Sequence, residues 1–373
     1  MARAALEAGL VDRVGDRAAF GRRMAELAGE HRREVPGSYN AVDFDAWTDE
    51  HPASDPGGRI GILTVAGVIV DGHAALGTAG AETIVENLER GLRERNLKAL
   101  VVRVDSPGGS VTGSERIRRA ILAVRERGIP VIVSMGSVAA SGGYWIATAG
   151  DVVLAEPSTI TGSIGVFGIL PSFEGTLERI GVGADGVRTT PLSGEPDILR
   201  GPSPEADRLL QMGVESTYRR FLGLVARARD LPPARVHAIA QGRVWDGGTA
   251  RQLGLVDNFG SLDDAIAEAA RRAELDPDDA RPAFLEQEPG FLGQLLLGLA
   301  GGGEEARPRD VFARLSGDPA AMAARALHDA RAMLRGPTMQ ARCLECPMPA
   351  PVRAPATGAD SLLARLLAAI LGA

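Results

Sequence analysis

Apolar runs and amphipathic stretches alternate along the chain from Arg59 to about residue 275. Short apolar runs predict buried strands, whereas apolar residues spaced three or four positions apart predict helices. The predicted strands cover residues 60–70, 99–104, 131–135, 152–154 and 164–170. The predicted helices cover residues 81–95, 114–127, 204–229 and 262–273, with a short one beginning at Gly142. This alternation favours an α/β fold in which helices pack on a mostly parallel sheet.

The two flanks of this region have a different composition. Residues 30–57 are polar and rich in turn-forming residues, which indicates a linker. Beyond residue 276, Pro, Gly and Ala accumulate, and we expect a partly disordered tail over 276–373 with a helix at about 318–335. The compact domain is therefore predicted to span residues 58–275.

A short pattern occurs twice in the sequence. Ala5, Gly9-Leu10-Val11-Asp12 and Gly15 recur at a constant offset as Ala250, Gly254-Leu255-Val256-Asp257 and Gly260. In each copy a glycine is predicted to end a helix, and because that role is common, two unrelated caps are the alternative interpretation. The number of matching positions favours a common origin. Residues 1–29 are then predicted to be the tail of an upstream repeat.

Composition restricts the possible functions. The chain has 373 residues and a net charge of −7, so we expect no nucleic-acid partner. We recognise no signal peptide and no uninterrupted apolar run of the ~20 residues that cross a bilayer, so the chain as encoded is expected to be soluble. Cys343 and Cys346 form one Cys-x-x-Cys, for which a reversible disulfide or no role is preferred over zinc. We expect no cofactor and no metal.

Candidate chemistry lies at two glycine-rich turns. Ser106-Pro107-Gly108-Gly109 follows one predicted strand, and Ser141-Gly142-Gly143 follows the next. Backbone N–H groups without side chains can converge there on one oxygen, as an oxyanion hole requires. Ser141 is the candidate nucleophile, and the candidate donors are Gly108, Gly109 and Gly142. The alternative is that these glycines only permit tight turns and close helix–sheet packing.

A serine nucleophile needs a base, and the sequence offers no convincing one. None of the five histidines lies between residues 106 and 190, where the nearby turns fall, and His73 is expected in a solvated loop. The single lysine, Lys98, begins the strand whose far end carries the glycines. Arg188 cannot substitute, because a guanidinium does not give up its proton at usable pH. The residues therefore predict a nucleophile without its base.

Four ordered motifs resemble the signal peptide peptidase A (protease IV) family of serine peptidases. They lie at residues 98–110, 134–145, 157–165 and 241–245, and the tail around Cys343 is similar to the end of the family's long form. The resemblance implies a Clp-protease/crotonase-like spiral of β-β-α units with peripheral helices. It also implies peptide substrates, a homo-oligomer, and a bacterial inner-membrane location with the peptidase on the periplasmic side.

The family uses a serine and a lysine in catalysis. By motif position, the resemblance implies Ser141 as nucleophile and Gly108, Gly109 and Gly142 as the oxyanion region. Ser163 resembles the hydroxyl that orients the lysine, although an ordinary turn residue is the alternative. The long form carries its lysine and membrane anchor in a first repeat, and this chain resembles that form from the end of the first repeat onward. Asp105 stands where the family usually has asparagine.

These observations predict a serine endopeptidase that hydrolyses peptides such as cleaved signal peptides. The lysine base is expected from a separate, lysine-bearing first repeat. Two alternatives stay open. The chain is a catalytically incomplete pseudo-peptidase or assembly subunit, or it is a crotonase-like acyl-CoA enzyme that uses the same oxyanion hole without a nucleophile.

Overall fold

The structure, a computed structural model, describes residues 2–31, 37–51, 58–75, 77–170, 172–276, 280–286 and 339–342. The chain divides into two compact units, residues 1–55 and 56–373. The first contains helices α1 (Ala2–Glu7), α2 (Arg17–Ala28) and α3 (Phe44–Glu50). Cys343, Cys346 and the helix predicted at 318–335 lie outside the described residues.

The second unit combines strands and helices in the predicted alternation. Its strands are β1 (Ile60–Ala66), β2 (Val68–Val70), β3 (Thr78–Gly80), β4 (Ala99–Ser106), β5 (Gly108–Ser110), β6 (Val131–Ala140), β7 (Val152–Ala155), β8 (Ile160–Gly162), β9 (Phe167–Gly168), β10 (Val244–Asp246), β11 (Asn258–Phe259), β12 (Pro282–Phe284) and β13 (Met339–Arg342). Its helices are α4 (Ala81–Glu94), α5 (Val111–Arg125), α6 (Gly142–Ala147), α7 (Glu174–Arg179), α8 (Pro204–Arg229), α9 (Pro233–Ile239), α10 (Gly247–Gln252) and α11 (Leu262–Arg272). Across the described ranges, no helix is both long and apolar enough to cross a bilayer.

The strand predicted over 164–170 is wrong in most of its length. Strand β8 ends at Gly162, and only Phe167 and Gly168 form the short β9. The physical reason is local, because Gly162 and Ser163 have φ angles of 80° and 49°. Two consecutive residues at such φ values bend the chain away from the direction of β8, so only a short strand forms after the turn.

The main sheet has the order β10-β8-β6-β4-β1-β12, with β7 on β6 and β11 on β7. The pairs β1–β4, β4–β6 and β6–β8 are parallel, and β10–β8 is antiparallel. Alternate side chains of β4 face opposite layers: Leu100 packs in the cluster with α4, α5 and α8, and Val101 in the cluster with α11. The α/β prediction is confirmed, and the parallel-rich sheet fits the Clp-protease/crotonase-like fold.

A second, smaller sheet has the order β3-β2-β5-β13-β9. Strands β2 and β5 run parallel to each other. Strand β13 runs antiparallel to both of its neighbours, β5 on one side and β9 on the other. Strand β13, which is distant in sequence, thus pairs with β5 on one side and with β9 on the other.

Both copies of the repeated pattern end a helix in the same way. The N–H of Leu10 donates to the carbonyl of Ala5 over 2.9 Å, and the N–H of Leu255 donates to that of Ala250 over 2.8 Å. The intervening Gly254 has a φ of 83°, in the left-handed region that favours glycine. Leu255 is fully buried, whereas Leu10 is 78% exposed. The pattern therefore sets the same local cap in two different environments.

Candidate active site

Ser141 lies at a sharp turn between the end of β6 and the start of α6. Its φ and ψ are 53° and −112°, a conformation that residues with a Cβ rarely adopt. The turn is held by its backbone, because the N–H of Ser141 donates to the carbonyl of Gly162 and the N–H of Trp145 donates to that of Ser141, both over 2.8 Å. The side chain makes no capping hydrogen bond, so the hydroxyl is left for other contacts.

The hydroxyl of Ser141 is buried and unpaired. Its Oγ is shielded from solvent and has no hydrogen-bond partner among the described residues. A buried hydroxyl without a partner costs about 1–3 kcal/mol. A group kept in this state at a strained turn is typical of a functional site rather than of a packing element.

Gly108 and Gly142 lie directly against each other beside Ser141. A Cβ added to Gly142 would lie 3.1 Å from the Cα of Gly108, and one added to Gly108 would lie 2.6 Å from the backbone nitrogen of Gly142. The N–H of Gly108 donates to the hydroxyl of Ser106 over 3.1 Å. Gly142 is the first residue of α6, so its N–H has no acceptor within the helix. Gly142 is therefore the better placed of these two N–H donors.

Gly109 has a different structural reason to be glycine. Its φ is 152°, and an added Cβ would lie 2.8 Å from the backbone nitrogen of Ile69 and closer still to its carbonyl oxygen. Gly109 thus permits the pairing of β5 with β2, in which it lies opposite Ile69. On its other edge it lies opposite Ala341 of β13. The structure thus places Gly109 inside the smaller sheet, between β2 and β13.

The structure brings Ser163 to the strand end next to Ser141. Strands β8 and β6 are parallel with Gly162 opposite Ala140, so each serine follows a paired residue on neighbouring strands, which are about 4.8 Å apart. Ser163 has a φ of 49°, and its N–H donates to the carbonyl of Arg243 over 2.7 Å. Ser163 lines a cavity of about 430 Å³, together with Phe167 of β9 and residues of α8.

None of the candidate bases in the sequence reaches the hydroxyl of Ser141. Lys98 precedes β4, whose eight residues separate it from the glycine turn by roughly 25 Å. His73 is exposed and lies 3.7 Å from a carboxylate oxygen of Glu86. Arg188 forms an ion pair with Glu195 over 3.0 Å. Among the described residues, therefore, none of these three side chains could act as a general base for Ser141, as the sequence predicted.

Sequence reasoning missed a polar group on the wall of the cavity. The hydroxyl of Tyr218 and Nδ1 of His237 are 3.0 Å apart, and Nε2 of His237 is 3.2 Å from the amide nitrogen of Gln241. Tyr218 and Gln241 line the cavity next to Ser163. Tyr218 lies in α8 and His237 in α9, 19 residues later in the sequence, so no local pattern signalled their proximity.

A charged network holds α6 in place behind the nucleophile. The indole N–H of the buried Trp145 donates to Glu115 over 2.8 Å, and Arg118 and Arg119 donate to the same carboxylate, each over 2.8 Å. Burial raises the pKa of Glu115, but the hydrogen bonds outweigh it and lower that pKa to about 2. The carboxylate of Glu115 is thus charged at neutral pH and ties α5 to α6.

Asp105 stands where the family motif usually has asparagine. Its side-chain carboxylate accepts a hydrogen bond from the backbone N–H of Val138 over 3.0 Å.

Comparison with known proteins identifies the family of this chain. The sequence profile of Peptidase family S49 matches residues 123–276, a range that includes Ser141 and Ser163. Protease 4 of Salmonella typhi is 38% identical over 314 residues, which cover 84% of this chain and 50% of that protein. Protease 4 of Haemophilus influenzae is 38% identical over 284 residues, covering 75% and 46%.

A shorter relative is covered more completely. A candidate SppA signal peptide peptidase from Enterococcus faecium is 31% identical over 241 residues, which cover 64% of this chain and 70% of that protein. By contrast, this chain spans about half the length of the two Protease 4 relatives. Profile, identities and fold agree with the resemblance that the four motifs predicted: the chain belongs to peptidase family S49.

Proposed function

We propose that this chain carries the nucleophile and the oxyanion-binding part of a serine endopeptidase. The observation that carries the proposal is the buried, unpaired hydroxyl of Ser141 at a strained turn beside Gly108 and Gly142. Family membership and relatives named Protease 4 support peptide-bond hydrolysis as the chemistry. Gly142 is the proposed donor to the oxyanion, with Gly108 and Gly109 shaping the hole.

The reaction follows from these positions. Oγ of Ser141 attacks the carbonyl carbon of the peptide while a neutral amine base takes the hydroxyl proton. The negative charge that develops on the carbonyl oxygen is stabilised by the N–H of Gly142 at the start of α6. The base then returns the proton to the leaving nitrogen as the C–N bond breaks. Water hydrolyses the acyl ester on Ser141 by the same proton transfers.

The proposed base is a lysine from outside residues 1–373. The only lysine of the sequence, Lys98, lies at the opposite end of β4. The cavity of about 430 Å³ beside Ser163 has room for an entering lysine side chain, whose amine the hydroxyl of Ser163 would orient. Burial there would lower the pKa of the amine and favour its neutral, proton-accepting form. A separate lysine-bearing first repeat remains the proposed source.

The proposed substrates are extended peptides, such as released signal peptides, by similarity to the relative named as an SppA signal peptide peptidase. We also propose that the protein forms a homo-oligomer and binds no nucleic acid. Its proposed location is the periplasmic side of a bacterial inner membrane. These proposals rest on the family resemblance.

Chemical rescue tests the missing-base mechanism directly. Small primary amines such as propylamine are added to the chain, and labelling of Ser141 by a fluorophosphonate is followed by mass spectrometry. We expect the labelling rate to rise with the concentration of neutral amine and to vanish in S141A. A quaternary ammonium ion of similar size is the control, because its nitrogen has no lone pair with which to accept the proton. If no amine and no lysine-bearing first half increases labelling, the pseudo-peptidase alternative replaces this proposal.

A further inference from the structure

Glu115 of α5 joins two other helices of the second unit. Its side chain is 13% exposed and accepts hydrogen bonds at both carboxylate oxygens. Oε2 accepts from the indole N–H of Trp145 in α6 over 2.8 Å. Oε1 accepts from the guanidinium of Arg220 in α8 over 2.6 Å. One carboxylate therefore links α6, which follows the candidate nucleophile, to α8.

The contacts of α6 with α5 fix the turn that carries Ser141. The backbone N–H of Trp145 donates to the carbonyl of Ser141 over 2.8 Å. Ser114, the residue before Glu115, lies against the start of α6, since a Cβ added to Gly142 would lie 2.5 Å from its Oγ. Trp145 is fully buried, so its indole cannot shift without moving the helix. Two consecutive residues of α5 thus hold the first turn of α6 at both ends.

The contact with α8 extends to the wall of the cavity beside Ser163. The ring of Phe221 packs on that of Trp145, with centroids 4.7 Å apart. One turn earlier in the same helix, Tyr218 lines the cavity together with Ser163. Residues three positions apart lie on the same face of a helix, so Phe221 and Tyr218 move together. The position of α8 against Trp145 therefore sets the position of the cavity wall relative to Ser141.

We infer that Glu115 is a positioning residue that holds the hydroxyl of Ser141 in line with an amine bound in the cavity. In this role it touches neither the substrate nor the base, and it acts through Trp145 and Arg220. A carboxylate suits the role because each of its two oxygens accepts hydrogen bonds, whereas an amide has one acceptor oxygen. The inference rests on the proposed peptidase function for its chemistry, but the link between the helices is a property of the fold.

Amine-rescued labelling of Ser141 in the full chain measures this positioning. The labelling rate is followed against propylamine concentration, which gives a maximal rate and a half-saturating concentration. E115Q leaves one of the two helices without its acceptor, so Ser141 and the bound amine lose their alignment. We expect the maximal rate to fall about 10- to 100-fold. The half-saturating concentration should change less than about twofold, because the residues that line the cavity are unchanged.

Two more variants separate this link from an effect on stability. R220Q breaks the link on the side of α8, and the double variant E115Q/R220Q should label no more slowly than E115Q alone, since both changes break one link. R119Q is the matched control, because Arg119 also donates to Glu115 over 2.8 Å but lies in α5 itself and is 71% exposed. We expect R119Q to label at the parent's rate.

Proton exchange of the Trp145 indole N–H reports on the link without catalysis, when it is followed by NMR spectroscopy and assigned with W145F. It should be at least about tenfold faster in E115L, whose side chain accepts no hydrogen bond, than in the parent or R119Q. Maximal labelling rates like the parent's in folded E115Q and R220Q would overturn the inference, and so would an unchanged exchange rate in E115L. If no amine promotes labelling of the parent, the proposed function fails, and the exchange rate alone decides whether Glu115 holds α6.

Discussion

Replacing Gly108 with alanine should separate the chemistry of the site from the stability of the fold. Gly108 has a φ of 94°, and the Cβ of an alanine would lie 2.6 Å from the nitrogen of Gly142 and 3.1 Å from the carbonyl oxygen of Ala140. Real Cβ atoms do not approach backbone so closely, so the turn must shift. We expect G108A to move the N–H of Gly142 away from the developing oxyanion.

The expected magnitudes follow from two separate terms. An alanine at positive φ costs about 1–2 kcal/mol. The enforced backbone contacts add roughly 1–3 kcal/mol, as in overpacked sites. G108A should therefore lower the free energy of unfolding by about 2–5 kcal/mol. Loss of one oxyanion donor is worth about 100- to 1,000-fold in rate, so amine-rescued labelling of Ser141 should fall by about that factor.

Gly128 provides the matched control for this experiment. It lies beyond the end of α5 with a φ of 81°, and an added Cβ would have no atom within 4 Å. G128A should therefore show only the positive-φ cost of about 1–2 kcal/mol and label at the parent's rate. Urea unfolding followed by circular dichroism gives the stability of each variant, and mass spectrometry gives the labelling rate. Labelling of folded G108A at the parent's rate would refute the role given to this turn.

Three further substitutions test the surroundings of the site. E115Q removes a carboxylate whose pKa is lowered to about 2, and should make the protein less stable at neutral pH by about 2 kcal/mol. As the pH falls from 5 toward 2, the parent should lose stability more steeply than the variant in urea titrations, since other carboxylates with lowered pKa values, such as Asp257 and Glu268, titrate in both proteins. Y144F removes the buried hydroxyl that donates to the carbonyl of Leu255 over 2.7 Å, and should lower the unfolding free energy by about 1–3 kcal/mol without slowing amine-rescued labelling of the folded protein. D257N replaces the carboxylate that accepts from Arg229 over 2.6 and 2.9 Å by a neutral amide with one acceptor oxygen, and should lower the thermal midpoint. R229K should lower it as well, because lysine lacks the planar fork that reaches both oxygens. Unchanged midpoints for D257N and R229K would contradict the importance of that pair.

The sequence was informative wherever structure depends on neighbouring residues. The apolar runs located β4 and β6, and the prediction of helix 204–229 agrees with α8, because strand and helix periods are local properties of the chain. The glycine pairs marked the turns at Gly108 and Gly142 for the same reason, since a backbone without a Cβ can adopt angles that other residues avoid. Four motifs then sufficed to predict the family.

Other properties depended on segments that are far apart in sequence. Only the parallel pairing of β8 with β6 places Ser163 beside Ser141. The glycine pattern predicts the N–H groups of Gly108 and Gly142 equally as oxyanion donors, but in the structure the N–H of Gly108 already donates to the hydroxyl of Ser106. No periodicity in residues 339–342 indicates that they lie between β5 and β9.

The sequence by itself therefore determined most of the long elements, the glycine turns and the family, because each is encoded within a few consecutive residues. Within the part of the chain that the structure describes, the tertiary structure alone decided that the hydroxyl of Ser141 is unpaired, that the N–H of Gly108 is already bonded, and that β13 lies between β5 and β9. Those outcomes depend on the register in which distant strands pair. A shift of one residue in that register would turn every side chain to the opposite face of the sheet, and no local pattern in the chain specifies it.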